Sequence, residues 1–298
     1  MNKIKYFLRH PKDLICAILA RFKFISDKTY LKIVFRLKIG MRLDLNNPKS
    51  FNEKLQWLKI NNRDEKYTNM VDKYEVKKIV SKSIGEEYVI PNIGIYDSFE
   101  EIDFNKLPNR FAIKCTHDSG GYVIVSDKKK ANIKKIKKKI NKSLHRNYYY
   151  SGREWPYKNV KPRILIEKYI SENDTDDLID YKFMCFNGKC KIIFTCTERF
   201  GGGLKVTFFD TDWNTLPFER HYPKSSISIK KPMNLSKMIH LAETLSNGIP
   251  FVRVDFYEVN NKIYFGELTF FPGNGFEEFT PIEWDYKIGD MLDLTNIK

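Results

Sequence analysis

Apolar and polar residues alternate most regularly in the stretch from Phe251 to Phe270. Val252, Val254 and Phe256 interleave with Arg253, Asp255 and Tyr257, while Gly266, Leu268 and Phe270 interleave with Glu267 and Thr269. A period of two marks strands, so the stretch reads as a hairpin. The apolar set decides its register, because a slip of one residue turns every side chain to the other face. A two-residue turn at Asn260-Asn261 would put Asp255 and Glu267 on opposite faces. A three-residue loop, Asn260 to Lys262, places Asp255 opposite Glu267 and Arg253 opposite Thr269, with the apolar residues gathered behind them. Asn tolerates the left-handed backbone that such a loop needs. The three-residue loop is therefore the expectation.

Helical spacing dominates the first third of the chain. Tyr30, Ile33, Val34 and Leu37 follow Asp27, which can cap their helix. Ser50 and Glu53 can form a capping box for a helix carrying Leu55, Trp57, Leu58 and Ile60. Val71, Tyr74, Val76, Ile79 and Val80 suit one further helix, with Lys73 near its start, Gly85 at its end and a short strand over 88–90 beyond. Phe111, Ile113 and Cys115 then alternate against Lys114, ahead of a loop from Thr116 to Gly121 and a second strand.

Between 128 and 146 a lysine-rich segment without acidic residues carries a narrow stripe of Ile133, Ile136, Ile140 and Leu144, the pattern of an amphipathic helix. It reads as a solvated basic face or as a docking surface for an anionic polymer or membrane. Residues 147–162 are aromatic and irregular, a candidate substrate-facing loop. Ile164 and Ile166 face away from Glu167 on a strand over 163–170. Asp180 and Lys182 share a face of a hairpin turned at Asn187-Gly188. Arg199 precedes a run of glycines, a candidate lid. A helix over 234–248, a turn at 272–275 and a mostly helical tail complete the pattern.

Composition narrows the partners. The 298 residues carry a net charge of +15 and a pI near 9.4, which favours anionic partners. Neither zinc-finger spacing nor an aromatic RNA-binding string is present, so nucleic acid is not expected. At 42% hydrophobic residues the chain can bury a substantial core, as one large domain or two moderate ones. Its five cysteines include no CxxC; the odd count and the lack of a secretory signal favour reduced thiols, although Cys185 and Cys190 would face each other across their hairpin. No apolar run reaches the length of a membrane span. The basic N-terminus, with a short apolar run from Leu14 to Ala20, reads as an amphipathic helix that packs on the domain or docks on an anionic membrane.

Three groups of residues suggest chemistry. Asp255 beside Glu267 is costly unless neutralised. Either Arg253 pairs with the carboxylates on a solvated face, or a hard divalent cation such as Mg²⁺ sits there with phosphate oxygens. Ser119-Gly120-Gly121 between two strands could lay backbone N–H groups over phosphates or be a plain hairpin turn; it is neither a Walker A loop nor a GxGxxG turn. Lys114, if buried, needs an anion.

Taken in order, these pieces resemble the ATP-grasp fold: Asp72-Lys73 at a helix start, Lys114 before a glycine loop, a hinge strand ending Glu167-Lys168-Tyr169-Ile170, then Arg253 with Asp255, Glu267 with Thr269, and Pro272-Gly273. The strings FNEKLQWLK, VDKYEVKKIV, IGEEYVIP, FAIKCTHDSGG, REWPYKN, LIEKYI and DYKFMCFNGK are similar to the TupA-like ATP-grasp family of cell-surface polysaccharide gene clusters. The resemblance implies an α+β fold with two lobes clamping ATP. Residues 1–50 would be a basic helical extension and 51–109 an α/β segment leading in. The small lobe would span 110–170, and the large lobe, with the metal site, 171–298.

It also implies roles. Lys73 and Lys114 would hold phosphates, Ser119, Gly120 and Gly121 would cover them, Glu167 and Lys168–Ile170 would meet adenine, and Asp180 the ribose. Asp255 and Glu267 would hold Mg²⁺, with Thr269 or Asn274 as third ligand where many relatives have Asn. Arg253, Lys182 and Arg199 would act on the transferring group. The implied reaction is an ADP-forming carboxylate–amine ligation through an acyl phosphate, joining an amino acid to an acidic sugar of a capsule or similar polymer. The implied setting is the cytoplasm, with possible contact to a lipid-linked precursor at the inner membrane face. Two DxD patterns, Asp174 to Asp176 and Asp210 to Asp212, keep a glycosyltransferase of the same pathway as the alternative.

Overall fold

The computed structural model describes residues 11–171, 178–198, 203–295 and 297. Its first part is helical: α1 (Pro11–Leu19), α2 (Asp27–Ile39), α3 (Phe51–Asn61), α4 (Lys66–Val71) and α5 (Glu75–Ile84). The capping box at Ser50 and Glu53 forms as expected. Two local expectations change. Ser26, not Asp27, caps α2, its hydroxyl accepting from the Thr29 N–H; Asp27 turns instead to Arg63. The single helix expected over 71–80 breaks at Asp72, whose carboxylate accepts the N–H groups of Tyr74 and Glu75 and so starts α5.

A four-stranded antiparallel sheet follows, built from β1 (Asn92–Tyr96), β2 (Phe111–Cys115), β3 (Tyr122–Val125) and β4 (Ile164–Lys168) in the order β1-β4-β2-β3. Residues 86–88 form a 3-10 turn and the strand begins only at Asn92, later than the sequence suggested. Ile113, Cys115, Ile164 and Ile166 meet Ile136 and Ile140 of α6 (Ile133–Leu144) in one core. The apolar stripe of the basic helix is therefore spent on this sheet.

A second antiparallel sheet holds β5 (Asp180–Phe186), β6 (Lys189–Thr197), β7 (Lys205–Phe209), β9 (Phe251–Val259) and β10 (Lys262–Thr269), ordered β10-β9-β5-β6-β7. A short ladder joins β8 (Glu219–Arg220) to β11 (Phe279–Thr280). Helix α7 (Leu235–Ser246) packs on this sheet through Met238, Leu241 and Ala242, and α3 through Phe51, whose ring lies edge-on to Phe251 at 4.9 Å. Such aromatic pairs contribute about 0.5–1.5 kcal/mol beyond their buried area. Helix α8 (Glu283–Asp290) closes the chain. Cys185 and Cys190 are partners across β5 and β6, and all five cysteines are free thiols.

The hairpin register holds, but by a different device. Lys262 pairs with Val259, so the turn is the two residues Asn260 and Asn261, both at positive φ. The register then shifts between Phe265 and Glu267, which restores Asp255 opposite Glu267 and Arg253 opposite Thr269. The extra residue sits in a bulge at Gly266 rather than in the loop. That position is crowded: a Cβ there would stand 3.1 Å from the Asp255 carbonyl oxygen.

Candidate active site

Strands β5, β9 and β10, at one edge of the large sheet, place Lys182, Asp255 and Glu267 side by side, since Lys182 pairs with Asp255 and Asp255 with Glu267. Arg253 forks onto Asp255 through two 2.7 Å hydrogen bonds and reaches Glu267 at 2.9 Å. Lys182 binds Asp255 on its other side and Asp180 at 2.7 Å. The Thr269 hydroxyl lies 3.3 Å from Glu267. Asp255 is buried, whereas the Glu267 side chain is 41% exposed. Burial and the Arg253 charge work against protonated Lys182, but Asp180, Asp255 and Glu267 outweigh them and raise its pKa. Burial likewise opposes the charge on Arg253, and the surrounding carboxylates more than restore it.

Three lysines come from the chain before the large sheet, Lys73 just before α5, Lys77 within it and Lys114 on β2. Lys114 and Lys77 both grip the buried carboxylate of Glu167, each at 2.5 Å. Burial pushes the Glu167 carboxyl up, and the two lysines overcome this and hold it below the ordinary range. Glu167 therefore serves the lysines. Lys168 donates its N–H to Pro91 at 2.9 Å, and Tyr169 stacks under Arg110 at 4.1 Å. Lys73 donates to the Asp118 carbonyl at 2.7 Å and so reaches the glycine loop. In that loop Ser119 and Gly120 are exposed at the tip, while Gly121 is pressed so closely on Ser143 that a Cβ would collide with it.

The lobes converge electrostatically. Burial favours neutral Glu267, and Lys73 from the turn before α5, then Arg253 and Lys182, reverse that and lower its pKa. Lys114 in turn feels Glu267 behind its nearer partner Glu167. The cluster thus gathers Lys73, Lys114, Lys182 and Arg253 around Asp255 and Glu267. Its donor set of two carboxylates and the Thr269 hydroxyl is all oxygen, which suits a hard divalent cation. Among the described residues no group of three His, Cys, Asp or Glu side chains stands together as a metal site.

Two expected residues have contacts of their own. Asn274 Oδ1 is buried against Gly152, where a Cβ would collide with it, and Asn274 has a positive φ in the 272–275 turn. The third oxygen next to Glu267 is that of Thr269. Asp180 is buried and ion-paired to Lys182. Arg199 and the Asp174 to Asp176 pattern lie outside the described residues. The other DxD pattern is a turn: Asp210 accepts the N–H groups of Asp212 and Asn214 at 3.0 and 2.8 Å, a structural use of its carboxylate.

Residues that sequence reasoning missed come from the aromatic segment. Glu154 is buried with no hydrogen bond or ion pair to its carboxylate among the described residues. Burial raises its pKa to about 7, with Lys59 and Arg253 pulling it back and Glu267 pushing it further. Lys59, also buried, is lowered to about 7 by burial. It donates to the Gly152 and Asn274 carbonyls at 2.7 and 2.8 Å and so latches the 152–154 turn to the 272–275 turn. The Tyr148 hydroxyl lies against Ser119 and Asn274, and its ring stands edge-on to Tyr157 at 4.9 Å. The charged pair Arg153-Glu154 inside an aromatic run was the available signal. Lys77 gave none, sitting within the apolar stripe of α5.

Comparison with known proteins agrees in kind. A family model described as TupA-like ATPgrasp matches residues 53–293. No curated protein matches the chain. Among solved structures, D-alanine–D-alanine ligase from Bacillus anthracis in complex with ATP aligns at 16% identity over 75% of this chain and 63% of that one, with a TM-score of 0.43. The ADP complex of the carboxyaminoimidazole ribonucleotide synthetase PurK aligns at 13% identity over 82% and 57%, with a TM-score of 0.46. This chain thus spans less than two thirds of the length of those two enzymes. The family match covers most of the chain and fits the arrangement of lysines and carboxylates: the chain belongs to the TupA-like ATP-grasp family.

Proposed function

We propose that the protein is an ADP-forming carboxylate–amine ligase. The observation that carries this reading is the convergence of Lys73, from the turn between α4 and α5, and Lys114, from the four-stranded sheet, on Lys182, Arg253, Asp255 and Glu267 of the five-stranded sheet. Phosphate groups need such cations held in fixed positions. Lys73 and Lys114 bind the nucleotide phosphates, Ser119 to Gly121 cover them, and the Lys168 to Ile170 backbone meets the adenine. Asp255, Glu267 and Thr269 hold Mg²⁺, which when bound screens the phosphate charge during transfer. Asp180 and Asp255 fix Lys182 in place.

In the proposed reaction a carboxylate oxygen of the substrate attacks the γ-phosphorus and ADP leaves, giving an acyl phosphate. An amine then attacks the acyl carbon and phosphate departs as the amide forms. Arg253 faces the negative charge that develops in both steps. The excess of positive charge supports an acidic glycan, free or lipid-linked, as the carboxylate substrate and an amino acid as the amine. Surface-polysaccharide assembly at the cytoplasmic face of the membrane is the setting this suggests.

Calorimetry with ATP, with and without Mg²⁺, tests the nucleotide site. Mg²⁺-dependent ATP binding that Glu267→Gln weakens supports it, and screening uronic acids with amino acids for ADP release follows. Absence of ATP binding under both conditions defeats it.

A further inference from the structure

Helix α1 uses only one of its sides within the fold. Cys16 and Leu19 join Tyr30, Leu31, Val34 and Phe35 of α2 in a core of their own. On the other side Leu14, Ile15, Ile18 and Phe22 remain between 40% and 45% exposed, and Phe24 is 85% exposed. Leu14, Ile15 and Ile18 are neighbours on one helical face. Phe22 and Phe24, in the turn that follows, hold each other edge-on at 5.6 Å. Exposed apolar residues scattered singly mean little, but a set gathered on one short element marks an interaction site.

The segment that carries this face is predominantly basic. Between residues 11 and 42 stand Lys12, Arg21, Lys23, Lys28, Lys32, Arg36, Lys38 and Arg42 against Asp13 and Asp27. Both acids are matched internally, Asp13 by Lys38 and Asp27 by Arg63. On and beside α2, Lys28, Lys32 and Arg42 line a cavity of about 410 Å³. The carboxylate of Asp44, which also lines it, is engaged by the N–H groups of Asn46 and Asn47 at 2.8 and 3.1 Å.

We propose that α1 and this cationic cavity form a docking surface for an anionic lipid bilayer. The exposed Leu, Ile and Phe side chains enter the boundary between headgroups and acyl chains, and the cavity takes a lipid phosphate. A hydrated acidic polymer would satisfy the lysines but leave the apolar face in water. A second copy of the chain would bring the same positive field against itself. Burial of an amphipathic face together with attraction to anionic headgroups is the combination that gives interfacial binding. The inference does not depend on the ligase reading.

Flotation of the full-length protein with lipid vesicles tests it, using phosphatidylglycerol vesicles and pure phosphatidylcholine vesicles. Wild type is expected to float with the first and not with the second. The double variants Ile15→Glu with Ile18→Glu, and Lys28→Glu with Lys32→Glu, should each bind at least about tenfold more weakly, while Glu267→Gln floats like wild type. All four replaced side chains are exposed, and unchanged melting temperatures would show that the fold is kept. Wild type that floats with neither vesicle, or equally with both, overturns the proposal. So does an Ile15→Glu with Ile18→Glu variant that floats unchanged. A wild-type dimer in sedimentation that this variant makes monomeric also overturns it, by assigning the face to a second copy.

Discussion

Asp255 and Glu267 stand directly opposite each other across β9 and β10 because Gly266 takes up one extra residue in a bulge. Without that bulge, the two-residue turn at Asn260-Asn261 would send Glu267 to the apolar face. The Gly266→Ala variant brings a Cβ to 3.1 Å from both the Asp255 carbonyl and the Tyr257 ring. The expected result is a loss of about 1 kcal/mol in stability, with weaker Mg²⁺-dependent ATP binding. Denaturant titration and calorimetry on the same sample check the two. Lower stability with unchanged nucleotide affinity would mean that the bulge matters to the fold alone.

Asp255 and Glu267 should respond differently to neutralisation. Asp255 is buried between Arg253 and Lys182, so Asp255→Asn strands two cations, and losing one partner of a buried pair costs about 3–5 kcal/mol. Glu267 is half-exposed, so Glu267→Gln should change stability by less than about 1 kcal/mol. Both should abolish Mg²⁺-dependent turnover. Melting curves separate the variants, and equal melting temperatures would contradict the burial argument.

Lys114 and Lys77 share Glu167, which separates ligand binding from folding. In Lys114→Ala the Glu167 carboxylate keeps Lys77 at 2.5 Å, so the fold should persist while ATP binds at least about tenfold more weakly, the loss of one charge-assisted phosphate contact. Glu167→Gln leaves both lysines without their counter-charge and should lower the melting temperature more than Lys114→Ala does. Nucleotide calorimetry reads the first effect and thermal melts the second; an unchanged ATP affinity in Lys114→Ala would remove its phosphate role.

Glu154 makes stability depend on pH. Its folded pKa, about 7, lies above the ordinary carboxyl value of 4.5. A raised carboxyl pKa means the folded state binds the proton more tightly, so the stability it contributes is present below pH 4.5 and is lost as pH rises towards 7. The group is fully buried, and the shift corresponds to about 3–4 kcal/mol. Lys59 acts in the opposite sense: its folded pKa of about 7 adds stability as pH rises from there towards 10.5. Glu154→Gln should therefore flatten the decline in melting temperature between pH 4.5 and 7 and leave the rise above it. A wild-type melting temperature that does not fall over that interval would show that Glu154 is not held as the structure implies.

How much of this was legible depends on the range of the interactions. The alternation over 251–270 paired Asp255 with Glu267 correctly although the device was misjudged, because the apolar face fixes parity whereas glycine at a bulge looks like any apolar-side residue. The capping box at Ser50 and Glu53 was readable since both partners lie within one turn. The choice of Ser26 over Asp27 as cap was not, because Asp27 is claimed by Arg63 and Tyr149 from distant segments.

The sequence by itself determined most of the helices, the hairpin strands that carry the carboxylates, the aromatic segment near the site and the set of lysines, arginine and carboxylates, through periodicity and capping that act between near neighbours. Only the tertiary structure decided which charges meet. It gave Glu167 to Lys77 and Lys114, turned Asn274 towards Gly152, buried Glu154 within the field of Arg253, and left one face of α1 exposed. Coulomb energy and burial depend on distance and solvent exclusion between segments far apart in the chain, and these exist only once the lobes have packed.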